Sequence, residues 1–177
     1  EIRALNTKMA PFQILAGVEV DILPDGSLDY PDEVLAQLDF VVASIHSAFK
    51  TDPTRRILAA MQNRYVDVIG HPTGRLISRR EGYELDMAQV IETAARTGTA
   101  LEINSYWDRL DLSDLNARQA VQAGVKLSIN TDAHHPEHLP MMHYGVATAR
   151  RGWVQKKDVI NCMTLATLKK WQKRNRA

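Results

Sequence analysis

Five short apolar segments of this sequence each end in residues that can bind a metal ion or carry a proton. These residues are Glu19 with Asp21, His46, His71, Glu102 with Asn104, and Asp132 with His134. From Glu19 through His46, His71 and Glu102 to Asp132 the spacings are 27, 25, 31 and 30 residues. Imidazole and carboxylate ligands together suit Zn²⁺, Mn²⁺ or Fe²⁺. The repeating pattern therefore predicts one shared divalent-metal site.

Each of these residues, taken alone, also has an ordinary structural explanation. A histidine at a strand end, such as His46 or His71, is commonly a polar residue with satisfied hydrogen bonds, and Glu19 could be a salt-bridge partner. Asp132 and His134 could cap a helix. The metal site is favoured because all of these positions recur at the same point of the repeat. Two or three close divalent ions would bind a phosphate diester and activate water, so no protein nucleophile is required.

A spacing of about 30 residues is typical of a strand followed by a helix. The predicted strands are Phe12–Asp21, Asp39–Ser44, Val66–Gly70, Thr99–Asn104 and Lys126–Asn130. The predicted helices are Pro31–Gln37, Pro53–Asn63, Asp86–Thr97, Asp114–Ala123, Pro136 toward Arg151, and Lys156–Lys173 with a break near Asn161–Thr164. Alternating strands and helices favour an α/β fold with a parallel sheet or barrel, in which functional residues gather at the C-terminal ends of the strands.

The composition is that of an ordinary globular domain. Of the 177 residues, 45% are hydrophobic and 24% are charged, and the net charge is +1. We expect residues 1–177 to form one domain in the cytoplasm, because no secretory signal opens the chain and no apolar stretch reaches the ~20 residues of a membrane span. The single cysteine, Cys162, cannot form an internal disulfide, and we expect it to be a packing residue.

Two polar segments need separate explanations. The basic segment from Lys169 to Arg176 is expected to be a solvated helix face or a fraying end, with contact to a phosphate backbone as the alternative. The same alternatives apply to the arginine pairs Arg79-Arg80 and Arg150-Arg151. The histidines that follow His134, namely His135, His138 and His143, are predicted to lie on a surface loop that leads into a helix, with a metal-binding run as the alternative.

Four segments carry a resemblance to a known family. They are Gly17–Gly26 (GVEVDILPDG), Gly70–Leu76 (GHPTGRL), Glu102–Leu112 (EINSYWDRLDL) and Ala149–Trp153 (ARRGW). Together with the histidines and carboxylates at the strand ends, they resemble the polymerase and histidinol phosphatase (PHP) superfamily, and in particular the PHP domain at the C-terminus of bacterial and archaeal family X DNA polymerases. The resemblance covers the chain from about Leu15 to Trp153 and implies a distorted, TIM-barrel-like (β/α)7 barrel.

The resemblance also implies a function and a ligand set. In this family the PHP domain is a metal-dependent phosphoesterase, a manganese-stimulated 3′–5′ exonuclease that processes DNA 3′ ends in repair, and the polymerase domain lies upstream in the same chain. It holds up to three divalent ions, here Mn, Zn or Fe. The matching metal ligands are Glu19, His46, His71, Asp132 and His134. Arg75 and Arg109 are candidates for binding substrate phosphate, and Glu102 and Asn104 for supporting the metal ligands, with structural roles as the alternatives.

The sequence departs from the family pattern before Glu19. The family carries a His-x-His motif on its first strand and a further histidine before the position of Glu19, whereas this chain has no histidine before His46 and does not begin with methionine. We therefore expect an incomplete barrel of about five β/α units that forms a homodimer or pairs with an N-terminal piece. Two alternative functions remain: a free-standing phosphatase similar to histidinol phosphatases, and a non-catalytic module that binds DNA or braces the polymerase.

Overall fold

The computed structural model describes residues 1–175, and its strands form one parallel sheet. The strands are β1 (Gly17–Asp21), β2 (Phe40–Ser44), β3 (Val68–Ile69), β4 (Ala100–Asn104) and β5 (Leu127–Asn130). They lie side by side in chain order, and each neighbouring pair is parallel. The predicted α/β class and all five strands are confirmed, with later starts for β1 and β3. The closed seven-stranded barrel stays a prediction, because β1 and β5 are open edges of the sheet that these residues form.

The helices follow the predicted order. They are α1 (Ile2–Met9), α2 (Asp32–Leu35), α3 (Pro53–Ala60), α4 (Met87–Thr97), α5 (Asp114–Gln122), α6 (Met142–Arg151) and α7 (Leu165–Trp171). Shorter 3₁₀ segments cover Pro136–Met141, Lys156–Asp158, Ile160–Cys162 and Lys173–Asn175. Helix α1 was not predicted, and α6 is preceded by a 3₁₀ segment where one helix was expected. Among residues 1–175 no helix is long and apolar enough to cross a bilayer.

One face of the sheet is covered by a layer of helices. Strands that are neighbours in both sequence and space, joined by right-handed crossovers, place their connecting helices on the same face. Here α3 packs on α4, α4 on α5, and α5 on α6. Alternate strand residues such as Val20, Val41, Ile69 and Leu101 are buried beneath these helices. Because strand side chains alternate between faces, Glu19 and its counterparts point to the opposite, concave face.

The segment from Lys156 to Cys162 covers part of that concave face. A helix with a break near Asn161–Thr164 was predicted over Lys156–Lys173, but the chain is already interrupted at Val159, which has an extended backbone (φ −108°, ψ 122°) and forms a parallel bridge with Leu127 at the edge of β5. The bridge interrupts the helix and directs the Ile160 side chain into a second, smaller hydrophobic core that includes Val68. The prediction that Cys162 is a packing residue is wrong, because the same turn leaves its side chain exposed.

The basic C-terminal segment is partly structural. The Arg174 guanidinium donates hydrogen bonds to the carbonyl oxygens of Leu38 (2.6 Å) and Tyr65 (2.7 Å), and it pairs with the buried Asp67 carboxylate at 2.8 Å. Lys173 Nζ donates to backbone carbonyls in the segment after α3. For these two residues both sequence-based expectations, a solvated face and a phosphate contact, are wrong, because the chain itself supplies the acceptors. Arg176 lies outside the described residues.

Candidate metal centre

Three of the predicted ligands meet at the C-terminal ends of β1, β2 and β3. Glu19 Oε1 lies 3.0 Å from His71 Nε2 and 3.5 Å from His46 Nε2. Each of the three residues offers one ligand atom, and these atoms all lie within 4.8 Å of one another. The Glu19–His46–His71 cluster therefore has the composition and the spacing that a divalent cation requires.

The parallel register of the sheet positions this cluster. Glu19 pairs with Val42, and Asp21 pairs with Ser44. His46 follows Ser44 by two residues and therefore lies two residues beyond the level of Asp21. His46 Nδ1 then lies 2.5 Å from Asp21 Oδ1, which fixes the orientation of the imidazole. The Ser44 hydroxyl donates a 2.6 Å hydrogen bond to Glu19 Oε1 and fixes the carboxylate in the same way. Such outer partners orient metal ligands and tune their basicity.

His71 is the most constrained member of the cluster. Its side chain is 2% exposed, and within residues 1–175 neither ring nitrogen makes a hydrogen bond of normal geometry, although Nε2 faces Glu19. Its backbone lies at φ +27°, a conformation that L-residues rarely adopt. A buried polar atom without a partner costs free energy, and backbone strain of this kind concentrates at functional sites. Both observations fit a metal ligand, because a cation would satisfy the ring nitrogen.

The charges of Glu19 and His46 in the metal-free protein follow from their shifted pKa values. Burial acts to raise the pKa of Glu19, but the neighbouring His46, His71 and Ser44 outweigh burial and hold this pKa well below its usual range. The hydrogen bond to Glu19, opposed by partial burial and assisted by Asp21, raises the pKa of His46 from 6.5 to about 9. In the metal-free protein at neutral pH, Glu19 is thus a carboxylate and His46 carries a proton that a metal must displace.

A chain of hydrogen bonds connects His71 to the other side of the site. The Glu102 carboxylate accepts from the backbone N–H of His71 at 2.6 Å and from Asn130 Nδ2 at 2.8 Å. Asn104 Nδ2 lies 3.4 Å from Glu102 and donates to Asp132 Oδ2 at 3.1 Å. Burial raises the pKa of Glu102. Glu102 and Asn104 therefore contact the ligand residues, as a supporting role requires.

Asp132 and His134 are placed differently from the other predicted ligands. Asp132, at φ +52°, lines a cavity of about 250 Å³ together with Glu19, so its carboxylate faces the same space as the cluster. The His134 ring is 79% exposed, and its Nδ1 is 2.8 Å from the backbone oxygen of Asp132. The structure thus brings Asp132 to the edge of the site and leaves the His134 imidazole directed to solvent.

The two arginines predicted to bind phosphate, Arg75 and Arg109, differ in their hydrogen-bond and ion-pair partners. Arg75 donates from Nε to the carbonyl of Arg109 at 2.9 Å and from Nη2 to the carbonyl of Leu110, so it supports the loop after β4. Arg109 Nε lies 3.4 Å from Asp132 Oδ2, and its buried Nη1 has no hydrogen-bond partner in residues 1–175. The ion pair of Arg109 with Asp132 corresponds to the structural role that was the alternative for this residue.

Asp21 was singled out from the sequence only as a strand-end carboxylate, and Ser44 and Asn130 were not singled out as site residues. Ser44 contacts Glu19, Asp21 contacts His46, and Asn130 contacts Glu102. All three end a strand, so the signal was the same one that identified the ligands: a polar residue at the C-terminal end of an apolar segment. The predicted surface position of the histidine tract is confirmed, since His135 begins the 3₁₀ segment Pro136–Met141 and is exposed.

Comparisons with known proteins find a DNA polymerase and probable phosphatases that are similar in sequence to this chain. The DNA polymerase/3′-5′ exonuclease PolX of Bacillus subtilis (strain 168) is 51% identical to this chain over 178 residues, which cover 99% of the chain and 31% of that protein. A probable phosphatase of Thermoanaerobacter sp. (strain X514) is 35% identical over 146 residues, which cover 75% of the chain and 57% of the phosphatase. A probable phosphatase of Clostridium acetobutylicum is 32% identical over 139 residues, 72% of the chain and 54% of that protein.

No family model matches the chain. The chain spans about a third of the length of the polymerase and a little over half of the phosphatases that it matches. It is similar to a DNA polymerase with 3′-5′ exonuclease activity and to probable phosphatases.

Proposed function

We propose that this chain is the larger, C-terminal part of a PHP-type phosphoesterase domain of a family X DNA polymerase, and that the domain hydrolyses phosphodiester bonds at DNA 3′ ends. The observation that carries the proposal is the buried His71 imidazole, whose Nε2 faces the Glu19 carboxylate at 3.0 Å beside His46 and whose Nδ1 has no hydrogen-bond partner among residues 1–175. The 51% identity to a polymerase with 3′-5′ exonuclease activity supports it.

The residues of this chain would hold the metal and prepare the site. Glu19, His46 and His71 supply the ligand atoms that already converge, and Asp132 would join them from the edge of the site. His134 would be a further ligand only after its imidazole, which is directed to solvent here, turns inward. Divalent ions, up to three of Mn, Zn or Fe in the complete domain, would supply an activated water and stabilise the leaving oxygen. Glu102 orients His71 through its backbone N–H, and Asn104 orients Asp132.

Substrate contacts would come from the arginines beside the site. Arg109, with a buried and unpartnered Nη1, is the stronger candidate for a phosphate oxygen, since a guanidinium fork suits phosphate. Arg75 would act indirectly, because its donors already hold the loop that carries Arg109.

We place the protein in the cytoplasm, with the upstream polymerase domain in the same chain as its partner. Pairing of the β1 edge with an N-terminal piece or in a homodimer belongs to the same proposal, whereas Val159 and Asn161 already cover part of the β5 edge.

A nuclease assay tests the proposal. The chain, and a longer protein that includes the upstream strands, are incubated with Mn²⁺ and a 3′-recessed DNA, and nucleotide release is compared with that of a His71→Ala variant. We expect Mn²⁺-dependent release that the variant lacks. Hydrolysis of a small phosphate monoester but not of DNA would instead favour the phosphatase function, which the similarity to probable phosphatases also supports. DNA binding that falls with salt, with no hydrolysis by either protein, would favour a non-catalytic module.

A further inference from the structure

We propose that the cavity beside Asp132 binds a nucleotide at the DNA 3′ end by stacking its base against Tyr106 and His138, with Arg79 and Arg109 facing its phosphates. This inference rests on the proposed function, because it assigns a subsite to the same DNA substrate. The segment Glu102–Leu112 contributes Tyr106, Trp107 and Arg109. The candidate metal centre accounts for none of its aromatic residues.

The cavity is placed where a neighbouring nucleotide must lie. It has a volume of about 310 Å³, at the lower end of the sizes typical of small-molecule sites, and Tyr106, His138, Arg79 and Arg109 are among the residues that line it. Asp132 lines both this cavity and the smaller one that contains Glu19. A DNA strand whose phosphate reaches the site at Glu19 would therefore place its next nucleoside past Asp132, in the larger cavity.

The rings in and around the cavity offer π surfaces to a base. The centroids of Tyr106 and His138 are 5.3 Å apart in an edge-to-face arrangement, and Trp107 adjoins Tyr106 at 6.2 Å. The Trp107 side chain is large and apolar, yet it is 49% exposed. Exposed aromatic rings beside cationic groups are the usual means of binding single-stranded nucleic acid without sequence preference.

The cations are arranged around these rings. The Arg79 guanidinium lies 5.8 Å from the centroid of Trp107, and Arg79 is 63% exposed although it also lies 3.5 Å from Asp108. On the other side, Arg109 directs its Nε toward Asp132, and its Nη1 has no hydrogen-bond partner in the described part of the chain, residues 1–175. Guanidinium groups bind phosphate through parallel hydrogen bonds and stack on aromatic faces, so this pair suits a nucleotide better than it suits a neutral ligand.

Binding to two fluorescent oligonucleotides in EDTA tests the subsite without hydrolysis. The first is a ten-residue oligothymidylate labelled at its 5′ end, and the second is identical except that its two 3′-terminal residues are abasic. We expect wild-type protein to bind the intact oligonucleotide roughly five- to 100-fold more tightly, the range that stacking on one aromatic side chain produces. Tyr106→Leu should reduce this preference at least several-fold, and so should His138→Ala, which provides a second test at the same ring pair.

Trp153→Leu is the matched control. Trp153 is 75% exposed and lies under Arg118 at 5.6 Å, so it forms the same type of pair outside the cavity. This variant should retain the full preference. Equal binding of the two oligonucleotides by wild-type protein, or an unchanged preference in both cavity variants, would overturn the subsite. Hydrolysis of bis(p-nitrophenyl) phosphate with Mn²⁺, a diester without a nucleobase, separately decides the proposed function, so failure of either idea is recognised independently.

Discussion

His71 Nε2 lies 3.0 Å from Glu19 Oε1, although Glu19 lies in β1, His71 follows β3, and β2 separates these two strands in the sheet. The approach is possible because Gly70 has no side chain at this level. A Cβ at Gly70 would collide with Ser44 Oγ, lie 2.8 Å from Val42 Cγ1, and lie 3.4 Å from Glu19 Oε1. The Glu19–His46–His71 cluster therefore depends on a glycine that is not one of its members.

Replacement of His71 should abolish metal binding. We expect wild-type protein to retain about one or more Mn, Zn or Fe ions per chain after dialysis, and a His71→Ala, His134→Ala double variant to retain none, because the double change removes two of the proposed ligands. Metal content by mass spectrometry provides the measurement. His143→Ala is the control, since His143 is exposed, hydrogen-bonds to the Pro140 carbonyl, and lies outside the Glu19–His46–His71 cluster. Equal metal content in the double variant would rule out a site at these residues.

Gly70→Ala should weaken the site without removing a ligand. The added methyl group must displace Ser44 and Val42, which costs about 1–3 kcal/mol of stability for overpacking and moves Glu19 away from His71. We expect a raised metal dissociation constant and a lower melting temperature. A Gly70→Ala, Ser44→Ala double variant, which removes the closest obstacle, should recover part of the stability. If metal affinity is unchanged in Gly70→Ala, the close approach of the strands is not required for the site.

Metal affinity and metal-free stability should respond to pH in opposite directions. The pKa of His46 is raised from 6.5 to about 9, so its ion pairs stabilise the metal-free protein fully below pH 6.5, and this stabilisation is lost as the pH rises through 9. Metal binding requires neutral imidazole, so affinity should increase about tenfold per pH unit between 7 and 9 if one proton is released.

Titration calorimetry for Mn²⁺ and urea unfolding in EDTA, each at several pH values, measure the two effects. His46→Gln should flatten both profiles over this range, because glutamine does not titrate. An increase in metal-free stability of wild-type protein from pH 6.5 to 9 that His46→Gln abolishes would contradict the assignment.

Arg174→Ala should destabilise the fold. The Arg174 guanidinium satisfies the carbonyls of Leu38 and Tyr65 and pairs with Asp67, whose carboxylate is buried. Removing one partner of a buried pair costs about 3–5 kcal/mol, because the other is left without compensation. Lys170→Ala removes an exposed charge from the same basic segment and should change stability by less than about 0.5 kcal/mol. Urea unfolding compares the two, and equal midpoints would show that the tail is not structural.

The sequence by itself determined the repeat and the chemistry at its strand ends. Runs of Val, Ile and Leu closed by polar residues at intervals of about 30 predicted five parallel strands, and the structure has all five. It also singled out Glu19, His46 and His71, because the C-terminal ends of parallel strands lie at one edge. These features are local in sequence: a strand of two to five residues and the polar residue at its end can be recognised from neighbours along the chain.

Only the tertiary structure decided which residues meet and what each one contacts. The His134 imidazole points to solvent while Asp132 faces the cavity with Glu19, and Arg174 reaches across more than 100 positions to Asp67. Val159 interrupts a predicted helix to bridge Leu127, and that turn exposes Cys162. None of these outcomes follows from periodicity, because side-chain direction and long-range pairing depend on packing against elements that are distant in sequence.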